Sequence, residues 1–177
     1  MVISSNAQLA ERVRLLRMHG AHESYFHSIV GFNSRLDELQ AAVLRVKLPY
    51  LQQWSKARHD NAVRYQKDFQ DADLLSMITP PTIHANRTHI FHQYVIRCKK
   101  RDELQAALKS RGIGTAIYYP ISLHEQECFR PLGYGPTDLP RSHAASKEIL
   151  ALPVYPELSD EQRRYVVDSI AAFYLGK

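Results

Sequence analysis

The chain has 177 residues, 45% of them hydrophobic and 23% charged, enough apolar material for one or two compact units and too much for a disordered chain. Its 23 basic and 18 acidic residues leave a net charge of +5, well mixed apart from the triplet Lys99-Lys100-Arg101. No basic nucleic-acid motif accompanies that excess, and a phosphate-bearing small molecule or cofactor fits it as well.

Two cysteines, Cys98 and Cys128, have neither the number nor the spacing of a disulfide framework, which points to a reducing, cytoplasmic setting. No apolar run reaches membrane-spanning length, and the start MVISSNAQLAER lacks the basic and apolar regions of a secretory leader. The expectation is a protein with no membrane and no nucleic-acid partner.

Met1-Val2-Ile3-Ser4 reads as a short strand, and Ser5-Asn6-Ala7-Gln8 has the form of a capping box. Leu9, Val13 and Leu16 then follow at helical spacing. Arg12, Arg14, Arg17 and His19 lie toward the C-terminal end, where the helix dipole favours positive charge, and Gly20 is the stop. After a loop over 20–33, Ser34-Arg35-Leu36-Asp37 offers a second cap before Leu36, Leu39, Val43 and Val46, in a helix reaching at least Lys47. Pro49 lacks the helical N–H donor and predicts a kink. Leu51, Trp54, Tyr65 and Phe69 resume the helical stripe to about Gln70.

Thr79-Pro80-Pro81 breaks regular structure, and the alternation from Phe91 to Cys98 predicts a strand. A short helix over Asp102 to Ser110 is closed by Gly112, and a strand over Thr115 to Tyr119 ends at Pro120. From Ile121 to Pro140 the chain is irregular, a length that in a compact domain usually serves a site. A helix from Arg141 to Leu150 and an extended piece from Leu152 to Tyr155 come next. The last helix opens on the capping box Ser159-Asp160-Glu161-Gln162 and carries Val166, Ile170 and Phe173. Residues 1–48 thus hold one short strand and helices, too few strands for a sheet. Residues 49–177 hold a linking helix and a small α/β domain whose sheet is antiparallel or mixed.

Nine histidines invite a metal, yet His89-x-x-His92 falls in the predicted strand, where alternation splits the pair. His124-Glu125-Gln126-Glu127-Cys128 departs from a zinc-protease signature at its last position, so no metal site is expected. Gly112-Ile113-Gly114 and Gly133-Tyr134-Gly135 each lack the third glycine of a nucleotide loop, and no serine or cysteine sits in a nucleophile context.

Two segments place polar chemistry where a plain turn would serve: Gly31-Phe32-Asn33-Ser34-Arg35 before a helix, and Tyr118-Tyr119-Pro120-Ile121-Ser122-Leu123-His124 after a strand. Asn33 offers amide donors to a phosphate, and Arg35 a bidentate grip on carboxylate or phosphate. On the residues alone the plainer alternative is favoured: Asn33 starts the turn and Arg35 is a solvated first-turn residue. Tyr119 and His124 are equally open to being ordinary half-buried residues.

The run from Gly31 through Leu36-Asp37-Glu38-Leu39-Gln40-Ala41-Ala42 resembles a motif of the DegT/DnrJ/EryC1/StrS family of pyridoxal-phosphate-dependent sugar aminotransferases. Leu9-Ala10-Glu11-Arg12-Val13-Arg14, Gly112-Ile113-Gly114-Thr115, Tyr119-Pro120 with Leu123-His124, and Leu152-Pro153 with Tyr155-Pro156-Glu157-Leu158 continue the resemblance along the chain. It implies an α/β, aspartate-aminotransferase-like (type I) fold of which these residues are the C-terminal half. Residues 1–48 would be the trailing edge of the large cofactor domain, and 49–177 the linking helix and small C-terminal domain.

The implied activity moves an amino group from glutamate to a keto group of a nucleotide-linked sugar through pyridoxal 5'-phosphate and its pyridoxamine form, in a cytoplasmic homodimer serving polysaccharide or antibiotic-sugar synthesis. By the same resemblance Asn33 matches the asparagine that reaches the cofactor phosphate of the partner subunit. Arg35 lies beside it and in some members approaches the sugar, while Tyr119 and His124 match residues lining the nucleotide-sugar pocket. The family's Schiff-base lysine is expected upstream. The lysines at 47, 56, 67, 99, 100, 109, 147 and 177 lie outside its context, and the aspartate that pairs with the pyridine nitrogen is missing too. The residues alone are therefore expected to be an inactive fragment with no catalytic residue. The alternative is a non-catalytic nucleotide-sugar-binding domain or the partner of a separately encoded half. Leu9, Val13, Leu16, Leu39 and Val43 are expected to present apolar surface.

Overall fold

In the computed structural model, which describes residues 2–23 and 25–176, the first helix, α1 (Ala7–Arg17), is capped by Asn6, whose side chain accepts from the Leu9 amide at 3.1 Å. The cap falls one residue beyond the expected Ser5. Ser4 Oγ accepts the Asn6 amide at 3.1 Å, meeting the N-cap donor that Leu9, at the third helical position, has no side-chain acceptor to satisfy. Residues 2–4 form no strand, since β propensity without a pairing segment makes no ladder; Met1 lies outside the described residues.

Part of the expected loop is a small antiparallel hairpin of β1 (Ala21–Glu23) and β2 (Phe26–His27). It returns against the end of α1: the His19 amide donates to the Phe32 carbonyl at 2.9 Å, Phe32 to Leu16 at 2.7 Å, and Ser34 to Arg17 at 3.0 Å. Glycine is required at both crossings. A Cβ at Gly20, where φ is +75°, would stand 1.8 Å from the Ile29 carbonyl oxygen, and one at Gly31 would stand 2.3 Å from the Gly20 nitrogen.

Asp37 opens α2 (Glu38–Lys47) by accepting the Leu39 amide at 2.9 Å, so Leu36 precedes the helix instead of beginning it. Pro49 lies in a 3-10 turn, Leu48–Tyr50, between α2 and α3 (Leu51–Asp71). The expected kink is thus a local change of helix type. The chain divides at this point into two units, Met1–Tyr50 and Leu51–Lys177. In the first, Leu9, Leu39 and Val43 are exposed and Val13 and Leu16 half-buried; Gly20 is the one buried residue among those described.

The second unit buries Ala62, Tyr65 and Phe69 of α3 at the three- and four-residue steps of one helix face. Its sheet is antiparallel, in the order β3 (Ile78–Thr79), β4 (Tyr94–Cys98), β5 (Ile149–Leu152). β3 occupies the start of the segment read as a breaker and stops at Pro80, which has no amide to donate. β4 begins three residues later than expected because Phe91 sits in the left-handed region at φ +48°.

α4 (Arg101–Ser110) follows, and then α5 (Pro140–Glu148), which ends two residues early so that Ile149–Leu152 can pair as β5. The expected strand over 115–119 is reduced to one bridge, Ala116 to Ala151. β5 therefore has neighbours on both sides, which suits its uninterrupted apolar run. α6 (Asp160–Leu175) carries the predicted capping box in full, Ser159 with Gln162.

Tyr65 stacks on Phe69 and Tyr94 at centroid distances of 5.5 and 5.0 Å, within a core that also holds Ile96, Leu104, Leu108, Leu150 and Ile170. Arg163 of α6 is buried and donates to Asp68 of α3 at 2.6 Å and to Asp160 at 2.5 Å. Arg101 departs from the basic triplet noted in the sequence. It is buried and donates to Asp102 at 2.6 Å and to the Ser146 and Ile149 carbonyls at 3.2 and 3.1 Å, so it ties α4 to β5 and adds nothing to a cationic surface. Among the described residues no helix is long and apolar enough to cross a membrane.

Candidate functional site

Asn33 and Arg35 lie on the exposed turn between the hairpin and α2, where the bridge from Met18 to Asn33 fixes the backbone. Arg35 Nε donates to Asn33 Oδ1 at 3.0 Å. That bond occupies one lone pair of the amide oxygen, and among the described residues the amide NH2 and the terminal guanidinium nitrogens have no partner. The pair is consequently a cluster in which donors outnumber acceptors, the chemistry that meets a phosphate or carboxylate. Arg35 also lines a cleft of about 760 Å³ with Arg14, Arg17 and Ser34, and of these arginines Arg14 is ion-paired, to Glu11 at 3.1 Å.

Tyr119 and His124 belong to the second unit and to different environments. Tyr119 is 69% exposed and touches Tyr118 edge to face; its phenol is open to a ligand both as a ring face and as a hydrogen-bonding group. His124 is buried in a 3-10 turn, Leu123–Glu125. Its Nε2 is sealed from solvent with no hydrogen-bond partner and lies 4.0 Å from Glu125 Oε2. No hydrogen bond joins Tyr119 to His124 among the described residues.

Sequence reading missed the groups around His124. His143 of α5 places Nδ1 at 2.9 and 3.0 Å from the two Glu125 carboxylate oxygens, and Ser142 Oγ donates to Ser122 Oγ at 3.2 Å. These contacts tie the irregular segment to α5. The His143 hydrogen bond is the main cause holding the Glu125 carboxyl below its usual range, with partial desolvation opposing it and the positive charge on His143, the Ser122 hydroxyl and His124 adding to it. A separation of 18 residues through irregular chain has no periodicity to expose it.

The two histidine patterns weighed for metal fall differently from the expectation. His89 and His92 precede β4, so strand alternation does not apply to them, and the His89 ring accepts the Phe91 amide at 2.9 Å. The segment from His124 to Cys128 runs through two 3-10 turns and not through one helix. Among the described residues no three His, Cys, Asp or Glu side chains are grouped to hold a metal ion.

The sequence pattern of the DegT/DnrJ/EryC1/StrS aminotransferase family matches residues 1–171. A Geobacillus stearothermophilus protein named pleiotropic regulatory protein is 48% identical over 174 residues, which are 98% of this chain and 46% of that protein. The UDP-N-acetyl-3-dehydro-alpha-D-glucosamine 3-aminotransferase of Acidithiobacillus ferrooxidans is 38% identical over 92% of this chain and 42% of its own. Among solved structures, that of DesV from S. venezuelae superposes with a TM-score of 0.88 at 33% identity, covering 97% of this chain and 45% of DesV. The chain spans about half the length of the curated relatives it matches.

Proposed function

Since the chain belongs to the DegT/DnrJ/EryC1/StrS aminotransferase family, we propose that it is the C-terminal part of an enzyme that moves an amino group from glutamate to a keto group on a nucleotide-linked sugar. The observation that carries this reading is a match over 98% of this chain that takes up 46% of the relative. The substrate class is supported by a relative whose name specifies a UDP-linked 3-dehydro sugar and amination at that position.

The residues fit the cofactor the family uses. Pyridoxal phosphate carries a dianionic phosphate, and Asn33 with Arg35 presents mainly donors. When bound, the cofactor supplies the electron sink through which the amino group passes. Asn33 and Arg35 hold its phosphate across the interface of a homodimer, which their exposure permits. Tyr119 and His124 line the nucleotide-sugar pocket, the first with an open phenol and ring face and the second with an imidazole fixed by its turn.

None of the eight lysines of this chain is assigned as the residue that bonds the cofactor and relays the proton. We place that lysine in the part of the family's length that this chain does not span. The 177 residues then bind and orient but do not complete the transfer on their own. The test combines this chain with a family N-terminal half that carries the lysine, supplies glutamate and a UDP-linked 3-keto sugar, and measures the amino sugar by mass spectrometry. Product is expected from the assembly and not from the chain alone. A stoichiometric borohydride-trapped cofactor on any lysine of this chain, or an assembly that binds cofactor and makes no amino sugar, refutes the proposal.

A further inference from the structure

His124 is buried without a hydrogen bond at Nε2, and the Glu125 carboxylate lies 4.0 Å from that atom. Glu125 is itself held in place. Both of its carboxylate oxygens meet His143 Nδ1, at 2.9 and 3.0 Å, and the Ser142 to Ser122 bond closes the same loop onto α5.

A neutral imidazole carries its proton on one nitrogen, and the neighbours of the other decide which. A carboxylate beside Nε2 favours a proton there. With the proton on Nε2, Nδ1 is left as an acceptor. We propose that Glu125, pinned by His143, is a positioning residue that fixes His124 in the Nε2–H form, so that this subsite takes a hydroxyl of the ligand through Nδ1 and does not take phosphate. The phosphate part follows from charge: a lone pair and an adjacent carboxylate both repel an anion. The inference rests on the reading of His124 as a ligand-lining residue, and it divides the recognition work between donors at Asn33 and Arg35 and an acceptor at His124.

The experiment is a long-range proton–nitrogen correlation spectrum of the histidine rings in the full chain, recorded near neutral pH without cofactor or sugar. His124 is expected to show one tautomer, protonated at Nε2. In Glu125→Gln and, as a second route to the same loss, His143→Ala, the ratio of Nδ1–H to Nε2–H is expected to rise about fivefold or more, since at 4 Å the lost interaction is already substantial in a watery dielectric. Amide dispersion of α6 serves as the check that each variant is folded. Inorganic phosphate is expected to leave both His124 nitrogens unmoved.

An Nδ1–H or mixed tautomer in the unaltered chain overturns the proposal, as does an unchanged ratio in a folded Glu125→Gln chain or a saturable phosphate-induced shift of the ring. None of these measurements involves transamination, so failure here leaves the reading of the whole enzyme to its own test.

Discussion

Removing the Arg163 side chain tests whether the charge network between α3 and α6 contributes what its geometry implies. Arg163 is 3% exposed and donates to Asp68 at 2.6 Å, and the Asp68 side chain is itself only 19% exposed. Arg163→Ala leaves that carboxylate partly buried without its cation and opens space beneath α6. Breaking one side of a buried pair costs roughly 3–5 kcal/mol, and the residual exposure of Asp68 sets the expectation at the low end, about 3 kcal/mol. With a urea m-value of ~1.5–2 kcal/mol/M for a unit of this size, the midpoint should fall by about 1.5–2 M. Asp68→Asn keeps the shape and one charged partner for Arg163, and should cost about 1–2 kcal/mol. Asp160→Asn should cost least, because that carboxylate lies in the exposed first turn of α6 and is open to water. Urea titrations of the full chain, followed by circular dichroism and by the single tryptophan, Trp54 of α3, measure all three. A midpoint in Arg163→Ala equal to that of the unaltered chain, or a larger loss in Asp160→Asn than in Asp68→Asn, would refute the reasoning.

In the first unit, Gly31→Ala would drive a methyl group to 2.3 Å from the Gly20 nitrogen and 2.7 Å from the Leu16 carbonyl oxygen, both backbone atoms that cannot swing aside. A loss of roughly 1–3 kcal/mol is expected, read as faster hydrogen exchange at the His19 and Phe32 amides, and unchanged exchange counts against the packing described. Glu125 titrates below its usual range in the folded chain because of His143. Its stabilising effect is therefore complete above the unfolded carboxyl value, about pH 4.3, and is lost as pH falls through the lower folded value. Urea midpoints of the unaltered chain should drop more steeply in that acid window than those of Glu125→Gln, and parallel curves would contradict the pairing. In the assembled enzyme, Asn33→Ala should loosen the cofactor about tenfold or more, the worth of one hydrogen bond to a charged group. Equilibrium dialysis checks it, and unchanged retention removes Asn33 from the phosphate site.

How much of this was legible beforehand depended on whether the deciding interaction was local. The capping box of α6 and the stripe of α3 follow from spacings of three and four residues, and both were read in place. The cap of α1 falls one residue on, at Asn6, which accepts the Leu9 amide while Ser4 accepts its own, a choice between neighbours that composition does not resolve. The run Ile149–Leu152 suits a buried strand or the end of a helix equally well. It became β5 because β4 offers a partner 52 to 58 positions away, the spacings from Ile149 to Arg97 and from Leu152 to Tyr94 being 52 and 58.

The site followed the same rule. Asn33 and Arg35 stood out as polar residues at a turn, but only the resemblance to a family favoured a ligand over solvent. Glu125 and His143 were invisible as a pair because nothing local connects the irregular segment to α5.

The two clusters differ in the one property that a net charge of +5 conceals, namely where acceptors are available. At Asn33 and Arg35 the 3.0 Å bond between them occupies one lone pair of the amide oxygen, and the remaining groups are mostly donors. Around His124 the order is reversed: His143 Nδ1 is engaged by Glu125, and that carboxylate lies 4.0 Å from His124 Nε2. Under the proposed function each cluster is taken on its own: a cofactor phosphate suits the donors at Asn33 and Arg35, and a sugar hydroxyl suits the acceptor proposed at His124. The basic excess noted first in the composition therefore overstates the charge available to a ligand, since Arg101 and Arg163 are spent inside the fold on Asp102 and Asp68.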